Sequence, residues 1–334
     1  MGGQGDPPKQ MITVLCGGVG GVKLVDGLAA VLADPTALTV IVNTGDDWRH
    51  LGLLISPDVD TVMYTLAGVI SRDRGWGLES ETWTALEMMG RYGLPTWFQL
   101  GDRDLATHVT RTFLMAQGRR LTEITRILAA ALGVVPRILP MSDDPVSTIV
   151  HTPVGRLPFQ EYFVKRRAED PVTAIEFDGL ERARPSAEVM EAIEASALIV
   201  VAPSNPLVSI RPILALPGVE AALADSGALR VAVTPIIGGA AVKGPTVEML
   251  RGTGIAADPL AVAALYEKFL DVFMLDVRDR APAGPLVAAT SPPRRIAVEC
   301  ADTLMSDQAG RRRLACEILA VAARRGVEIG RRPV

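Results

Sequence analysis

Four glycines in five positions interrupt an apolar run at "VLCGGVGGVKLVDGL" (14–28), and the chain then resumes with helical spacing. Backbone N–H groups exposed at the start of such a helix face outward at the positive end of its dipole, which is where an anion settles. Gly17, Gly18, Gly20 and Gly21 carry no Cβ to hold a ligand off the backbone, and they permit φ > 0 where the turn needs it. Lys23 follows within the first turns and adds positive charge. The spacing fits neither standard phosphate fingerprint. A dinucleotide motif on Gly18 and Gly20 needs glycine where Lys23 stands, and a P-loop needs Ser or Thr where Leu24 stands. The competing reading is a tight strand-to-helix turn with no ligand.

Acidic residues gather next. "NTGDDWRHLG" (43–52) supplies Asn43, Asp46 and Asp47, and "ISPDVDTVMYTL" (55–66) supplies Asp58 and Asp60. Carboxylates at a strand end and at the mouth of the following helix are hard oxygen ligands of the kind Mg²⁺ takes while bridging to substrate phosphates. Their structural alternative is capping, with Asp60 at the head of a helix beginning at Thr61 and Asp46 in a turn. "LGDRDLATH" (100–108) places Asp102, Arg103, Asp104 and His108 in nine residues, as caps and core or as a clamp on a phosphate or carboxylate. "MSDDPVST" (141–148) is a third acidic turn. In "APSNPLVSI" (202–210), Pro203 and Pro206 stiffen a loop that offers Ser204 and Asn205 to a base or a phosphate. There is no GxSxG elbow, no histidine lies in a nucleophile motif, and Cys16 reads as a small apolar residue at a strand end. The chemistry provided for is charge management around phosphates.

These residues need a frame. "MITVLC" (11–16), "LTVIVNT" (38–44), "ALIVVAPS" (197–204) and "LRVAVTPII" (229–237) are β-branched and apolar throughout, the pattern of parallel strands covered on both faces. Helical periodicity follows most of them, so the expected fold is α/β, a Rossmann-like mostly parallel sheet with helices on both faces. Ligands on such sheets collect at the carboxyl ends of the strands. Residues 11–334 read as a single domain after a disordered polar tail (1–10). A helical insertion at about 60–135 caps one side of the sheet, where it could cover a planar ligand. Shorter, more exposed strands are expected in 137–167, a mobile loop at 280–295, and an amphipathic closing helix stopped by Gly326.

Composition narrows the class. The 334 residues are 49% hydrophobic, enough for a full core, and the net charge of −4 is interspersed. No basic stripe points to nucleic acid, and four Trp and four Tyr offer few stacking platforms. Three cysteines far apart, Cys16, Cys300 and Cys316, make neither a disulfide framework nor a zinc site, which suits a reducing cytoplasm. No stretch approaches the roughly 18 apolar residues of a membrane span, and the first ten residues lack the apolar core of a signal peptide.

Taken in order, "GGVGGVKL", "NTGDDW", "ISPDVDTVMYTLAG", "RGWGLESETW", "LGDRDLATH", "LPMSDDPVST", "FQEYFVKRR", "APSNPLVSI", "PIIGGAAVKG" and "ADTLM" resemble the 2-phospho-L-lactate transferases of coenzyme F420 biosynthesis, from about Met11 to beyond Met305. The resemblance implies a Rossmann-like enzyme with a helical cap, usually a homodimer. Such an enzyme uses Mg²⁺ to move a phospholactyl-type group from a guanosine-diphospho donor to the ribitol hydroxyl of the deazaflavin Fo, releasing GMP. "GGVGG" and "DRGWG" are similar to bacterial members, for which a phosphoenolpyruvyl donor giving dehydro-F420-0 is implied. On that pattern Asp46 and Asp60 hold the metal or orient the hydroxyl, with Asp47 and Asp58 as substitutes. Gly17, Gly18, Gly20, Gly21 and Lys23 cradle phosphate beside Asn43. Ser204 and Asn205 meet the guanosine side, and Arg103, Asp104 and His108 the Fo side. Either Asp60 or a water on the metal serves as general base.

Two other functions compete. A regulator of the same fold would bind a nucleotide sugar without catalysis, and its signature would be loss of "LGDRDLATH" and "FQEYF", both of which are present. An NAD-dependent dehydrogenase would want a third fingerprint glycine at Lys23 and an acidic residue ending the second strand, earlier than Asp46 and Asp47.

Overall fold

The computed structural model describes residues 10–241, 244–279, 286–287 and 294–332. The N-terminal tail up to residue 9 and most of the 280–295 loop lie outside the described residues. The central sheet carries β1 (Ile12–Cys16), β2 (Leu38–Val42), β3 (Arg137–Pro140), β4 (Leu198–Val201), β5 (Leu229–Val233), β6 (Val272–Asp276), β7 (Leu286–Val287) and β8 (Arg295–Ala301). In space they run β7-β8-β6-β5-β4-β1-β2-β3. Every neighbouring pair is parallel except β7 with β8.

The uninterrupted apolar strands follow from burial on both faces. Leu15, Ile41, Ile199 and Val201 point into one core, and Val14, Cys16, Val40, Val42 and Val200 into the other. The four strands expected from sequence are β1, β2, β4 and β5, although their polar ends, such as Asn43–Thr44 and Pro203–Ser204, are loops. β6 and β8 lie outside the strands expected from sequence, although charged residues flank both. β3, expected among exposed strands, is instead a buried edge of the central sheet. Beyond it, Ser147–Thr152 pairs antiparallel with Gly155–Pro158 on one side and Ala174–Asp178 on the other.

The glycine run opens α1 (Gly18–Val31), which packs on α2 (Pro57–Leu66) and on the C-terminal helix Gln308–Ala323. A Cβ at Gly27 would lie 2.3 Å from the Arg311 carbonyl, so glycine is what lets these two helices close. Asp307 caps the C-terminal helix through the Gly310 N–H, and Gly326 (φ 81°) turns the chain after it. Between β2 and β3 run α2, α3 (Thr84–Arg91), α4 (Asp102–Ala116) and α5 (Leu121–Ala131). α2 covers the sheet beside α1, whereas α3 buries none of its residues and rests against α4. Pro57 sets the first turn of α2, four residues earlier than a helix capped by Asp60 would begin. No single helix among the described residues is long and apolar enough to cross a membrane.

Candidate active site

β1 lies between β2 and β4, and the chain leaves it toward β2 and only later returns to β4 on its other side. That reversal opens a crevice at the carboxyl ends of the strands. The glycine loop, the Asn43–Asp47 turn and the Pro203–Asn205 loop meet there, at one end of a cavity of about 480 Å³.

Gly17, Gly18, Gly20, Asp46, Asp58, Ser204 and Asn205 line this strand end. The glycines let loops nest. A Cβ at Gly17 would come within 2.8 Å of both Asp58 Oδ2 and Ser209 Cβ, and one at Gly21 within 2.1 Å of Ser204 Oγ. Gly18 adopts φ +66°. The Gly17 N–H donates to Ser204 Oγ (3.2 Å), which ties the first loop to the third. Asn205 Oδ1 accepts from the Leu207 N–H at 2.9 Å and starts the turn behind it.

Asn43 Nδ2 donates to Asp58 Oδ2 (3.0 Å) while Asn43 Oδ1 accepts from the Gly45 N–H (2.8 Å), so Asn43 braces the turn from outside the cavity. Burial, and then repulsion from Asp58, holds the Asp46 carboxyl well above the usual range. Burial pushes Asp58 up to about 6 against the hydrogen bonds from Asn43 and the Gly18 N–H. Asp46 Oδ1 is buried with no hydrogen bond. Two neighbouring carboxylates, one with an orphaned oxygen and neither with a cationic partner, fit a divalent cation. Among the described residues no three His, Cys, Asp or Glu side chains group as a metal cage, so such an ion would complete its shell from substrate and water.

Asp60 is placed differently from its expected role as a ligand. Both of its oxygens accept from Arg111, which is fully buried. The countercharge is already present, and Asp58 rather than Asp60 stands with Asp46. Arg111 Nη1 lies 3.1 Å from His108 Nδ1. A guanidinium can only donate, so Nδ1 accepts and Nε2, 3.3 Å from Asp104 Oδ1, bears the ring N–H. Asp104 also accepts from Tyr64 Oη at 2.8 Å. Despite burial, His108, Tyr64 and Arg111 keep the Asp104 carboxyl below the usual range. Asp60, Tyr64, Asp104 and His108 all face the cavity, and Arg111 joins them from behind.

Besides Gly21 and Asn43, which support the loops from behind, three more candidates fall outside. Lys23 Nζ donates to the Met305 carbonyl (3.2 Å) and does not line the cavity. Arg103 donates to the Glu79 carbonyl at the surface (2.8 Å). Asp47 accepts from Ser56 Oγ (2.7 Å) beneath the turn, where burial raises its carboxyl.

At the far end the walls are rings: Trp76, Trp97, Phe98, Phe159 and Phe163. Phe159 and Phe163 stack at 5.4 Å and 8°, and Trp97 packs on Trp48 at 5.1 Å with Lys165 Nζ 5.6 Å from its centroid. Gln160 Nε2 donates to the Asp46 carbonyl (3.2 Å), which links the two ends. These rings and Arg111 are what motif reading missed. Arg111 had a signal, since Asp104, His108 and Arg111 at i, i+4 and i+7 share one face of α4. The rings had none, because three separate segments supply them.

The family model described as "2-phospho-L-lactate transferase CofD" matches residues 12–316. Among similar proteins, the 2-phospho-L-lactate transferase of Methanosarcina mazei is 43% identical over 80% of this chain and 88% of its own. The phosphoenolpyruvate transferase of Streptomyces griseus is 43% identical over 83% and 89%. That of Kitasatospora aureofaciens is 40% identical over 93% and 97%. Among solved structures, a member of the UPF0052 family from Bacillus halodurans superposes with a TM-score of 0.59, covering 94% of this chain and 99% of its own at 16% identity, a likeness of fold.

Proposed function

The chain belongs to the 2-phospho-L-lactate transferase CofD family, and on that footing we propose that it transfers a phospholactyl or phosphoenolpyruvyl group in coenzyme F420 biosynthesis. The donor is lactyl- or enolpyruvyl-2-diphospho-5′-guanosine, the acceptor is the deazaflavin Fo, and the products are F420-0 or dehydro-F420-0 and GMP. The observation that carries this reading is the two-ended cavity. Glycine backbone and two uncompensated carboxylates at one end suit a diphosphate, and the ring-lined walls at the other suit a planar heterocycle.

In the reaction the acceptor hydroxyl oxygen bonds to the phosphorus that carries the three-carbon acid. The bond from that phosphorus to the GMP oxygen breaks, and the hydroxyl proton is released. Asp46 and Asp58 would hold Mg²⁺, which when bound neutralises phosphate oxygens and steadies the departing phosphate. The glycine loop, pinned by Ser204, lets the diphosphate approach the backbone. The Asp60–Arg111–His108–Asp104–Tyr64 chain keeps the cavity wall rigid between the two ends. His108 Nδ1 is engaged by Arg111 and Asp104 is held in its charged form, so these groups position the acceptor rather than take its proton. Transfer of this kind depends chiefly on placement and charge.

Purified protein incubated with Fo, Mg²⁺ and each donor in turn should release GMP and give an adduct of Fo heavier by the phospho-acid, read by mass spectrometry. An adduct from one donor names the acid. Failure of both donors, with Fo unbound and a nucleotide sugar bound, would replace this reading by the regulator.

A further inference from the structure

Trp76 sits in "DRGWG" between Gly75 (φ +75°) and Gly77 (φ +66°), two left-handed positions that fold the chain back on either side of it. Ser71 donates its N–H to the Gly77 carbonyl (2.9 Å) and Gly75 donates to the Ser71 carbonyl (2.8 Å), so the indole projects from the tip of a tight loop. Glycine on both sides leaves the backbone little stiffness of its own to aim that ring. Arg74 supplies what is missing. Its Nη2 donates to the Leu78 carbonyl (2.7 Å) across the loop. Its guanidinium carbon lies 5.4 Å from the Trp76 centroid and 5.5 Å from that of Trp83. The two indoles meet at 67° with centroids 6.3 Å apart, and the cation rests against both. Arg74 Nε is buried with no hydrogen bond. Trp83 immediately precedes α3, whose first turn is fixed by Asp102 accepting from the Thr84 and Ala85 N–H groups at 3.1 and 2.9 Å. Trp76 lines the cavity, whereas Arg74 and Trp83 do not.

We propose that Arg74 is a positioning residue for the acceptor: it clamps the Trp76 ring against Trp83 so that the ring forms a fixed wall for the planar heterocycle. This rests on the aromatic-acceptor reading above. A guanidinium stacks flat on an indole while hydrogen bonding at its edge, which an ammonium cannot do, and the attraction grows where water is excluded. Lysine should therefore be a poor replacement.

The test measures the dissociation constant for Fo, by its fluorescence, alongside KM for the donor and kcat, in the wild type, Arg74→Ala, Arg74→Lys, Trp76→Ala and the Arg74→Ala/Trp76→Ala pair. Arg74→Ala should weaken Fo binding about tenfold, and Arg74→Lys nearly as much. Donor KM and saturating kcat should stay within about twofold, and the pair should be no weaker than Trp76→Ala alone, because Arg74 acts through that ring. Wild-type Fo affinity in Arg74→Ala, additive losses in the pair, or a donor KM that rises in step would overturn the proposal. Acrylamide quenching of tryptophan emission separates this from the function itself. Arg74→Ala should raise quenching in the wild type and much less in a Trp76→Phe background, whether or not Fo is the substrate. Equal quenching with and without Arg74 would refute the clamp even for a working transferase, and raised quenching in a protein that ignores Fo would refute only the acceptor.

Discussion

At the strand end of the cavity, the loops leaving β1 and β4 are pinned by the hydrogen bond from the Gly17 N–H to Ser204 Oγ, and the loop leaving β2 is pinned to the first turn of α2 by that from Asn43 Nδ2 to Asp58 Oδ2. At the ring end, Trp48 packs on Trp97 and Phe98, and Phe159 stacks on Phe163, at centroid separations of 5 Å and more. The first is built to hold fixed charge, since a backbone N–H or a carboxylate works only at one distance and one angle. The second holds a large flat surface, for which area and stacking matter more than any single contact. The transfer proposed above, which would keep a diphosphate still while admitting a bulky heterocycle, has use for both.

Arg111 is the buried cation on which both Asp60 and His108 of the cavity wall rest, so its loss should break the contrast most severely. Arg111→Met leaves Asp60 buried without the guanidinium that both its oxygens engage. It should cost about 3–5 kcal/mol of stability by chemical denaturation and weaken donor and acceptor binding together. If only one ligand suffers, the buried chain does not couple the ends. Asp58→Asn should separate them: turnover should fall by about a thousandfold, as loss of several kcal/mol of charge stabilisation implies, while Fo affinity measured by its fluorescence stays within about twofold. Near wild-type rates would remove Asp58 from the phosphate end.

Acidity sharpens the same distinction. The folded state holds Asp58 at about 6, above its ordinary value, so it favours the protonated form. The stability this lends is complete below the ordinary carboxylate range and is lost as pH rises toward and past 6. Protein freed of divalent ions should therefore lose stability between about pH 4 and 7. Mg²⁺ should restore it, by about 2.7 kcal/mol at a hundredfold excess over its dissociation constant, and should do less at pH 5 than at pH 7. Thermal melts over a pH series read this out, and an equal shift at both pH values would contradict a cation at Asp46 and Asp58. The smallest effect belongs to Lys23→Ala, expected within about twofold in every kinetic constant because its Nζ faces Met305 and not the cavity. A large fall in kcat would show that Lys23 swings to the phosphate on binding.

Legibility followed the same division. The strand end could be read because a parallel sheet puts its loops at the carboxyl ends of strands, and each loop carries its residues consecutively: "GGVGG", "NTGDD", "PSN". Even there, position misled for Lys23 and Asp60. Lys23 lies in the right segment but one helical turn aims it at Met305 rather than the cavity, and Asp60 lines the cavity with both oxygens already taken by Arg111. The ring end could not be assembled from spacing, since Trp76, Trp97, Phe159 and Phe163 lie up to 87 residues apart.

By itself the sequence determined the doubly covered parallel sheet, because strands buried on both faces must be apolar throughout, and the location of the glycine loop, because only glycine permits so close a backbone approach. The tertiary structure alone decided which carboxylates remain uncompensated. Asp46, Asp58 and Asp60 are chemically the same group, and what distinguishes them is that Arg111, 51 residues beyond Asp60, folds back onto that one alone.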